Sequence, residues 1–396
     1  MQVMLGAIYA WSVFREPLSA QFKASVTQTN LTFTISILMV GFAAFAGGLW
    51  MRSAGPRTVA MTAGVLYGLG VFLASFSGSL SMLYLTYGVL AGIGLGLGYI
   101  VPVATLIKWF PDKRGFITGV AVAGFGGGAV VTTLISKAII GPLGPLGTFR
   151  VLGIIFLIGV VGAALFLRNP PEGYKPAGWE PDTTERGDRS GIDYNLGGAL
   201  KTWQWFALWA LLFLNSSVGI GIIAEAAPMT QAITRVSETA AASLVILISF
   251  GNAAGRFLWA WFSDAIGRKW TFLTMFVLQA VLLLLMTLTG SYALFAILAI
   301  LLISCYGGGF GTMPAFASDY FGAANVGQIY GLMLTAWSFA ALLGPIIISR
   351  VVDATGAYTN ALYIFAVILL ASTVVAFIVR PPKGEARATQ AEEARA

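Results

Sequence analysis

The segment Ser243–Lys269, SLVILISFGNAAGRFLWAWFSDAIGRK, decides the fold, because it places one guanidinium inside a run that is otherwise soluble in hydrocarbon. Arg256 lies eight residues before Asp264, where charge returns, and this separation is about 12 Å along a helix. Such a depth approaches the middle of a bilayer, where a cation costs roughly 2.5 to 3.5 kcal/mol on insertion scales. We therefore expect Arg256 to face the interior of a membrane protein and to have a partner there.

The helix predicted for this segment has one polar face. Spacings of three and four residues place on that face Ser249, Asn252, Arg256, Trp259 and Ser263. No acid lies within a turn of Arg256, so we infer that its counter-ion is mobile, namely an anionic substrate. There are two alternatives: Arg256 caps backbone carbonyls, or it pairs with a carboxylate on another helix.

Composition independently indicates an integral membrane protein. The 396 residues are 58% hydrophobic and only 10% charged, which leaves too few polar groups to cover a water-soluble sphere of this size. Because the apolar runs are continuous and long enough to cross hydrocarbon, they predict helices and not a barrel. We predict an all-α integral membrane protein with twelve transmembrane helices in two pseudo-symmetric six-helix bundles. The predicted spans are Met1–Leu18, Leu31–Met51, Val59–Phe76, Met82–Leu106, Phe116–Ile140, Phe149–Leu167, Trp203–Ala227, Ala240–Phe262, Trp270–Leu288, Tyr292–Ala317, Val326–Ile348 and Tyr358–Val379.

The composition changes between the sixth and seventh spans. There the chain is rich in charge, proline and glycine and has no sustained apolar period, which is typical of a linker. We predict bundles at 1–168 and 203–380, a cytoplasmic linker at 169–202, and a disordered cytoplasmic tail at 381–396.

An internal repeat supports the division into two bundles. A constant offset of 212 residues relates residue types that dictate backbone shape, and it places Arg256 opposite Ala44. Parallel repeats related by an axis along the membrane normal put a substrate site near the midplane between them, so we assign the charged side of that site to the second bundle. The matched pairs are Gly55 with Gly267, Arg57 with Lys269, Pro102 with Pro314, Gly115 with Gly327, and Gly119 with Gly331.

The distribution of the formal charge of +7 predicts the orientation and argues against nucleic acid as a partner. Of the 23 Lys and Arg residues, sixteen fall in segments that the spans place on one side and six on the other. By the positive-inside rule the richer side and both termini are cytoplasmic, and we expect the protein in the cell (inner) membrane. Because Met1 already lies within the first span and no signal peptide is visible, we expect further residues before it. The sixteen are Arg52, Arg57, Lys108, Lys113, Arg114, Arg168, Lys175, Arg186, Arg189, Lys201, Arg268, Lys269, Arg380, Lys383, Arg387 and Arg395.

Several classes of function are disfavoured by the residues that the sequence lacks. It has one cysteine, Cys305, and no histidine, so an internal disulfide is excluded, and a zinc site or a histidine proton shuttle is disfavoured. The sequence contains no HExxH motif, no Walker lysine, and no serine and histidine pair, so we expect neither an enzyme nor a cofactor. A membrane sensor, receptor or channel is the alternative of another class, but parallel halves around a midplane cation favour a carrier.

A loop motif connects the chain to a known family. Asp264–Lys269 reads DAIGRK and matches the D-x-x-G-R-K loop between the second and third helices of a half in the major facilitator superfamily, which the chain resembles over essentially its whole length. The first-half copy, Arg52–Arg57, has Arg52 where the family has an acid, so the contact of that acid is not carried over. The resemblance implies the major facilitator fold and a monomer.

Three further motifs resemble the oxalate/formate antiporter branch, which is related to monocarboxylate transporters. They are GAIYAWSVF at 6–14, KWFPDKRG at 108–115 and RNPPEGYKPAGW at 168–179. In that branch an arginine of the eighth helix binds the substrate carboxylate, and Arg256 occupies that place. Oxalate-transporting members are expected to add a lysine on the eleventh helix, but here 329–345 reads IYGLMLTAWSFAALLGP, without a cation.

The charge of this site selects among substrates, since one fixed positive charge suits a monoanion better than a dianion. We therefore hypothesise a secondary active transporter of small monocarboxylates such as lactate, pyruvate or formate, working by alternating access. An oxalate/formate-type anion exchanger is the alternative. Monocarboxylate transporters resemble this helix with an acid four residues before the arginine, but this sequence has Asn252, so a role of that acid in proton coupling is not carried over.

Candidate substrate contacts follow from the same helices. Arg256 would bind the carboxylate through charge-assisted hydrogen bonds, Tyr99 would donate a second bond from comparable depth, and Asn252 would orient Arg256 or touch the substrate. An interhelix hydrogen bond or packing is the alternative for Tyr99 and Asn252. For the walls around the organic end, where ordinary packing is the alternative, the candidates are Tyr306, Phe310, Met333 and Trp337, with Ile8 and Phe125 opposite.

Gating at the cytoplasmic face is assigned to Asp264, Arg268 and Lys269, with simple anchoring of the loop as the alternative. Coupling follows from charge, because an occluded carrier that leaves its guanidinium unpaired is costly. The carrier would therefore return with another anion, or a proton would travel with the substrate. The nearest acids, Glu16 and Glu225, lie toward the outer ends of their helices, so no dedicated proton carrier is evident. We expect proton symport, with exchange as the alternative.

Overall fold

The computed structural model describes residues 1–178 and 192–382, except the side chains of Glu238, Thr239 and Ala242. Every regular element in these residues is a helix. The tail predicted at 381–396 lies outside the described residues from 383 onward, and so do residues 179–191 of the predicted linker.

Two unusually long helices account for four of the twelve predicted spans. Nine helices in the described residues are long and apolar enough to cross a membrane. Among these, Val26–Ala74 turns at Gly55, where φ is 76°, and Arg114–Ala164 turns at Gly144, where φ is 67°. Left-handed backbone of this kind favours glycine, and a proline follows each turn. Each long helix therefore contributes two spans, and the first helix, at 2–22, completes the twelve.

The first helix is the least regular, because its middle is wound more tightly than its ends. Its three segments are Gln2–Leu5, the 3₁₀ segment Gly6–Trp11, and Ser12–Phe22. The twelve spans are α1 at 2–22, α2 at 26–54, α3 at 56–74, α4 at Leu80–Trp109, α5 at 114–143, α6 at 145–164, α7 at Trp203–Ala224, α8 at Glu238–Ile266, α9 at Arg268–Leu288, α10 at Tyr292–Phe321, α11 at Val326–Thr355 and α12 at Tyr358–Ile378.

The backbone repeats where the 212-residue offset predicts that it should. Gly55 and Gly267 both have positive φ, at 76° and 90°, and each ends one helix and begins the next. Pro102 and Pro314 both lie inside helices, α4 and α10. The two halves thus share a scaffold, and the residues that shape it are the matched glycines and prolines.

Matched glycines also set the two places where the bundles cross. On one side, a Cβ at Gly119 of α5 would lie 3.1 Å from the carbonyl oxygen of Arg256 in α8. On the other side, a Cβ at Gly331 of α11 would lie 2.7 Å from the carbonyl oxygen of Ala44 in α2. Since Ala44 and Arg256 are also related by the offset, the same close crossing is built twice. Only one of the two carries a charge.

Residues 192–202 of the predicted linker pack against the helix ends. The backbone N–H of Tyr194 donates to the carbonyl oxygen of Phe321 at 2.9 Å, and Tyr194 is only 5% exposed. The linker then forms a short helix, Leu196–Leu200, because the side chain of Asn195 accepts from Gly198 N–H and caps it. We call this end of the molecule the linker end, and the opposite end the distal end.

The span α7 ends at Ala224 and not at Ala227 as predicted. The chain turns at Glu225 and continues as the helix Ala226–Thr234 at the distal end. Pro228 explains the break, since it has no N–H to donate to the carbonyl of Ala224 four residues earlier.

Candidate functional site

Arg256 lies in the packed interior between the two bundles. Its side chain is fully buried, at 0% exposure, and it is about 15 Å along α8 from the end of that helix at Ile266. Two other helices come close to its backbone, because Gly119 of α5 and Gly311 of α10 have no side chain where the Arg256 carbonyl oxygen lies. The polar face predicted for α8 points inward, while Leu258 on the opposite face is 51% exposed.

The guanidinium is bound by neutral groups. Its Nε donates to Asn252 Oδ1 at 3.2 Å, and its Nη2 donates to the hydroxyl of Tyr9 at 3.2 Å. Its central carbon lies 5.1 Å from the ring centroid of Phe125, 5.0 Å from that of Phe310 and 5.9 Å from that of Tyr9. In the described part of the chain, no carboxylate lies within ion-pair distance of it. The site therefore holds a buried positive charge balanced only by dipoles and aromatic faces.

Hydrogen-bond donors exceed acceptors around this charge. Four buried donor groups make no hydrogen bond of good geometry to any described residue: Arg256 Nη1, the hydroxyls of Tyr99 and Tyr330, and Trp337 Nε1. The hydroxyls of Tyr99 and Tyr330 lie close enough to the guanidinium to interact with it electrostatically. Buried donors without acceptors are costly, and an anion with several lone pairs is the kind of group that would satisfy them.

An aromatic shell surrounds the donors. Trp337 of α11 lies at its centre, and its ring centroid is 5.0 Å from Phe310, 6.0 Å from Phe125 and 6.2 Å from both Tyr9 and Tyr99. These rings come from α1, α4, α5, α10 and α11, so both bundles contribute to the shell. Aromatic faces of this kind suit the short organic end of a small acid better than a second charge.

The structure brings together most of the residues singled out from the sequence. Asn252, Tyr99, Phe125, Phe310 and Trp337 contact or neighbour Arg256 as described above, and the hydroxyl of Tyr306 lies 3.1 Å from that of Tyr9. Ile8 and Met333 are buried in the same core, the first beside Tyr9 and the second where α11 is broken at Leu334. Neither of these two side chains carries a group that can bond an anion.

Sequence reasoning missed Tyr9 and Tyr330. Both are phenols in helices that had already been singled out, but an isolated tyrosine in an apolar span cannot be told from ordinary packing. One signal was available for Tyr330, which lies within the eleventh-helix segment that was searched only for a cation. Tyr9 lies in the motif at 6–14, but that motif does not indicate the tight winding of Gly6–Trp11 that positions the side chain.

A small cavity adjoins the site on its distal side. Its volume is about 30 Å³, which is room for water molecules. The residues of α8 that line it precede Arg256 and so lie toward the distal end. The lining residues are Tyr9, Gly126, Ile223, Val245, Ile248, Ser249 and Asn252.

A cluster of charges closes the linker end. Asp264 at the end of α8 accepts from the backbone N–H groups of Gly115 at 3.0 Å and Phe116 at 2.8 Å, in the first turn of α5. Asp264 also pairs with Arg268 at 2.6 Å, and Arg268 pairs with Asp319 at 2.9 Å. A carboxylate at a helix N-terminus is favoured by the exposed N–H groups and the helix dipole. Because Asp264 and α5 belong to different bundles, the bonds between them hold the two bundles together at this end. We call the cluster of Asp264, Arg268, Asp319 and the first turn of α5 the linker-end lock.

The lock is reinforced by Arg114, and it is not repeated in the other half. Arg114 of the first bundle pairs with Asp319 of the second at 3.1 Å. Under the 212-residue offset, Asp264 corresponds to Arg52, which cannot accept from N–H groups. Lys269, predicted with Asp264 and Arg268 as a gating residue, lies elsewhere: its Nζ is 5.0 Å from the ring of Phe377 in α12. The structure thus places two of the three predicted gating residues in the lock.

Comparison with known proteins is informative over the whole chain. The sequence profile of the Major Facilitator Superfamily matches residues 1–223 and 196–396. The oxalate:formate antiporter of Oxalobacter formigenes is 28% identical over 404 residues, which cover 100% of this chain and 93% of that protein. Monocarboxylate transporter 13 of Rattus norvegicus is 26% identical over 94% of this chain and 85% of its own length. In fold, the chain is similar to the Escherichia coli fucose:proton symporter FucP, with a TM-score of 0.67, 13% identity, and coverage of 95% and 97% of the two chains.

Proposed function

The chain belongs to the Major Facilitator Superfamily, and from this premise we propose that it carries small monocarboxylate anions across a membrane by alternating access. The observation that carries this proposal is Arg256, a fully buried guanidinium whose hydrogen-bond partners among the described residues are neutral. A buried cation without a resident carboxylate is matched by an anion that arrives and leaves. The cargo supplies the negative charge that the site lacks.

The charge of the site favours a monoanion such as lactate, pyruvate or formate. The other fully buried guanidinium in the described helices belongs to Arg268, which is already paired with two carboxylates. One unneutralised positive charge therefore faces the cargo, and a dianion would bring an uncompensated charge into a buried site. The printed names of two relatives, an oxalate:formate antiporter and a monocarboxylate transporter, belong to the same chemical class of cargo.

We assign roles by chemical type. The carboxylate accepts from Arg256, whose planar fork suits two parallel hydrogen bonds. Tyr99, Tyr330 and Trp337 supply further donors to the carboxylate or to an oxygen beside it. Phe125 and Phe310, whose rings both lie near the guanidinium, pack against the organic end.

Alternating access in this proposal uses the linker-end lock. Opening the linker end breaks the bonds from Gly115 and Phe116 to Asp264, because they join the two bundles, whereas the pair between Asp264 and Arg268 lies within one bundle and can persist. The lock thus stabilises the conformation that is closed at the linker end. We propose that the linker end faces the cytoplasm, since the basic residues gather there, and that the protein works as a monomer in the inner membrane with both termini in the cytoplasm.

Coupling to protons is the mode that we propose, so that charge is balanced over the cycle. The acids that were considered as proton carriers do not distinguish symport from exchange. Glu16 pairs with Arg15 at 3.4 Å, and Glu225 accepts from the hydroxyl of Tyr358 at 3.0 Å. Both lie toward the distal end. Anion exchange of the oxalate/formate type is the second candidate, and it is favoured by the match to an oxalate:formate antiporter over the whole of this chain.

One experiment tests the function. The purified protein is reconstituted into proteoliposomes, and uptake of labelled lactate, formate and oxalate is measured with and without a pH gradient. Saturable lactate uptake that increases with an inward proton gradient is the expected result. Strong oxalate exchange without lactate uptake would replace the proposal by the exchanger, and binding without flux of any of the three acids would indicate a sensor.

A further inference from the structure

A carrier with a buried cation faces a difficulty when it crosses without cargo. If a carboxylate neutralises Arg256 on the loaded journey, the return journey leaves a guanidinium at 0% exposure without a negative partner. Desolvation of an unpaired charge opposes that step. A protein that cannot solve this problem exchanges one anion for another and performs little net transport.

The chain contains a neutral hydrogen-bond acceptor that replaces one bond of the carboxylate. The hydroxyl of Tyr9 accepts from Arg256 Nη2 at 3.2 Å and lies 3.1 Å from the hydroxyl of Tyr306. Its ring lies edge-on to Phe125, at a centroid distance of 5.5 Å, and faces the guanidinium at 5.9 Å. Tyr9 therefore meets the same nitrogen that a cargo carboxylate would use. An anion that accepts from Nη2 displaces the Tyr9 hydroxyl, so cargo and the hydroxyl compete for that place.

The position of Tyr9 in the fold suits a part that forms and breaks this contact in each cycle. Tyr9 belongs to the first bundle and Arg256 to the second, so the bond exists only while the bundles meet at the midplane. Tyr9 lies on the 3₁₀ segment of α1, Gly6–Trp11, and tight winding inside a longer helix often marks a hinge. Gly6, the first residue of this segment, lies directly against the carbonyl group of Phe125. The start of the segment is therefore fixed on α5 within its own bundle.

Resting on the proposed function, we propose that Tyr9 is the resident substitute for cargo. Its phenol, supported by Tyr306, takes the place of the carboxylate at Arg256 and lets the carrier return without an anion. Net transport depends on this substitution, whereas exchange does not, because in exchange Arg256 has an anion in both directions. Tyr9 thereby determines whether the protein is a net transporter or an exchanger.

The substitution Tyr9→Phe tests this inference, because it keeps the ring and removes only the hydroxyl. Proteoliposomes are loaded with labelled lactate, and efflux is measured into buffer without lactate, which reports net transport, and into buffer with saturating unlabelled lactate, which reports exchange. For Tyr9→Phe we expect net efflux to fall about tenfold or more, since a hydrogen bond to a charged group is lost on the return journey, with exchange within about twofold of the wild type.

Tyr67→Phe is the matched control. Tyr67 is another buried tyrosine, and its hydroxyl donates to the carbonyl oxygen of Met4 in α1 at 3.2 Å. Its ring packs on Phe156, and this hydrogen bond lies within one bundle. The ratio of net efflux to exchange should be unchanged in this variant.

The outcomes separate the inference from the function on which it rests. Equal loss of net efflux and exchange in Tyr9→Phe would overturn the inference, because the hydroxyl would then serve cargo binding or packing. Tyr9→Phe that loses neither net efflux nor exchange would also overturn the inference. So would wild-type protein that exchanges lactate without net efflux. In both cases the proposal that the protein is a carrier would stand. Wild-type protein that moves labelled lactate in neither mode would overturn both.

Discussion

Removing the charge of Asp264 should open the linker end more often. The substitution Asp264→Asn keeps the size of the side chain but leaves it with one oxygen for the two N–H groups of Gly115 and Phe116. It also removes the pair with Arg268. Because the two N–H groups belong to the other bundle, the closed linker end loses this stabilisation and the open one does not.

The size of the effect follows from burial. The pair with Arg268 lies within one bundle and is lost in both conformations, so only the two bonds to Gly115 and Phe116 count. A hydrogen bond to a charged group contributes about 1.5 to 3 kcal/mol. Since one oxygen remains and the Asp264 side chain is 29% exposed, we expect the closed linker end to lose about 2 kcal/mol. Since about 1.4 kcal/mol is a factor of ten, the population open at the linker end should increase about thirtyfold.

A single introduced cysteine can report that population. Thr118 is fully buried, and its hydroxyl donates to the carbonyl oxygen of Gly311 across the bundle interface at 2.9 Å. In a Cys305→Ser background, Thr118→Cys is labelled with a membrane-impermeant maleimide from the linker side. We expect the labelling rate to increase about tenfold or more with Asp264→Asn and to stay unchanged with Lys269→Gln, which alters a residue outside the lock. Equal rates for Asp264→Asn and its parent would refute the proposed role of the lock.

Two further predictions concern the site and the crossing of the bundles. Asn252→Asp puts a carboxylate where Arg256 Nε now donates to an amide oxygen at 3.2 Å. The guanidinium keeps the new acid ionised, so a resident carboxylate competes with the cargo, and lactate uptake should fall about tenfold or more. Uptake within twofold of the wild type would contradict this. Gly48→Ala drives a methyl group into the carbonyl of Gly327, at a cost of about 1 to 3 kcal/mol, and should lower the midpoint of thermal unfolding by several degrees. Gly127→Ala, which meets nothing within 4 Å, is the control, and equal midpoints for the two variants would count against the close crossing.

The sequence predicted the scaffold well, because membrane helices are specified by residue type over long runs. The resemblance to the superfamily and its antiporter branch is confirmed by the profile match and the relatives, and so is the all-helical fold with its two sets of six spans. The constant offset of 212 residues succeeded for a physical reason: Gly55 and Gly267 are needed where the backbone turns, and Gly119 and Gly331 where helices cross.

The contacts across the bundles could not be predicted in the same way. That Arg256 is buried was expected from its depth in α8, but its neighbours depend on how five other helices rotate about their axes. Tyr9 reaches Arg256 because α1 is tightly wound there, and nothing in its neighbouring residues indicates that winding. Lys269 was grouped with Asp264 by proximity in sequence, yet its side chain lies against Phe377 of α12, whereas that of the adjacent Arg268 lies in the lock.

The central claim is that Arg256 binds the carboxylate of the cargo, and saturable uptake of labelled lactate by Arg256 variants in proteoliposomes tests it most directly. Arg256→Lys keeps the charge and loses the planar fork, so kcat/KM should fall about tenfold or more. Arg256→Ala removes the charge, and its kcat/KM should fall at least about thirtyfold, since losing a charged partner costs about 2 to 5 kcal/mol. Uptake by Arg256→Ala within twofold of the wild-type rate would contradict the account.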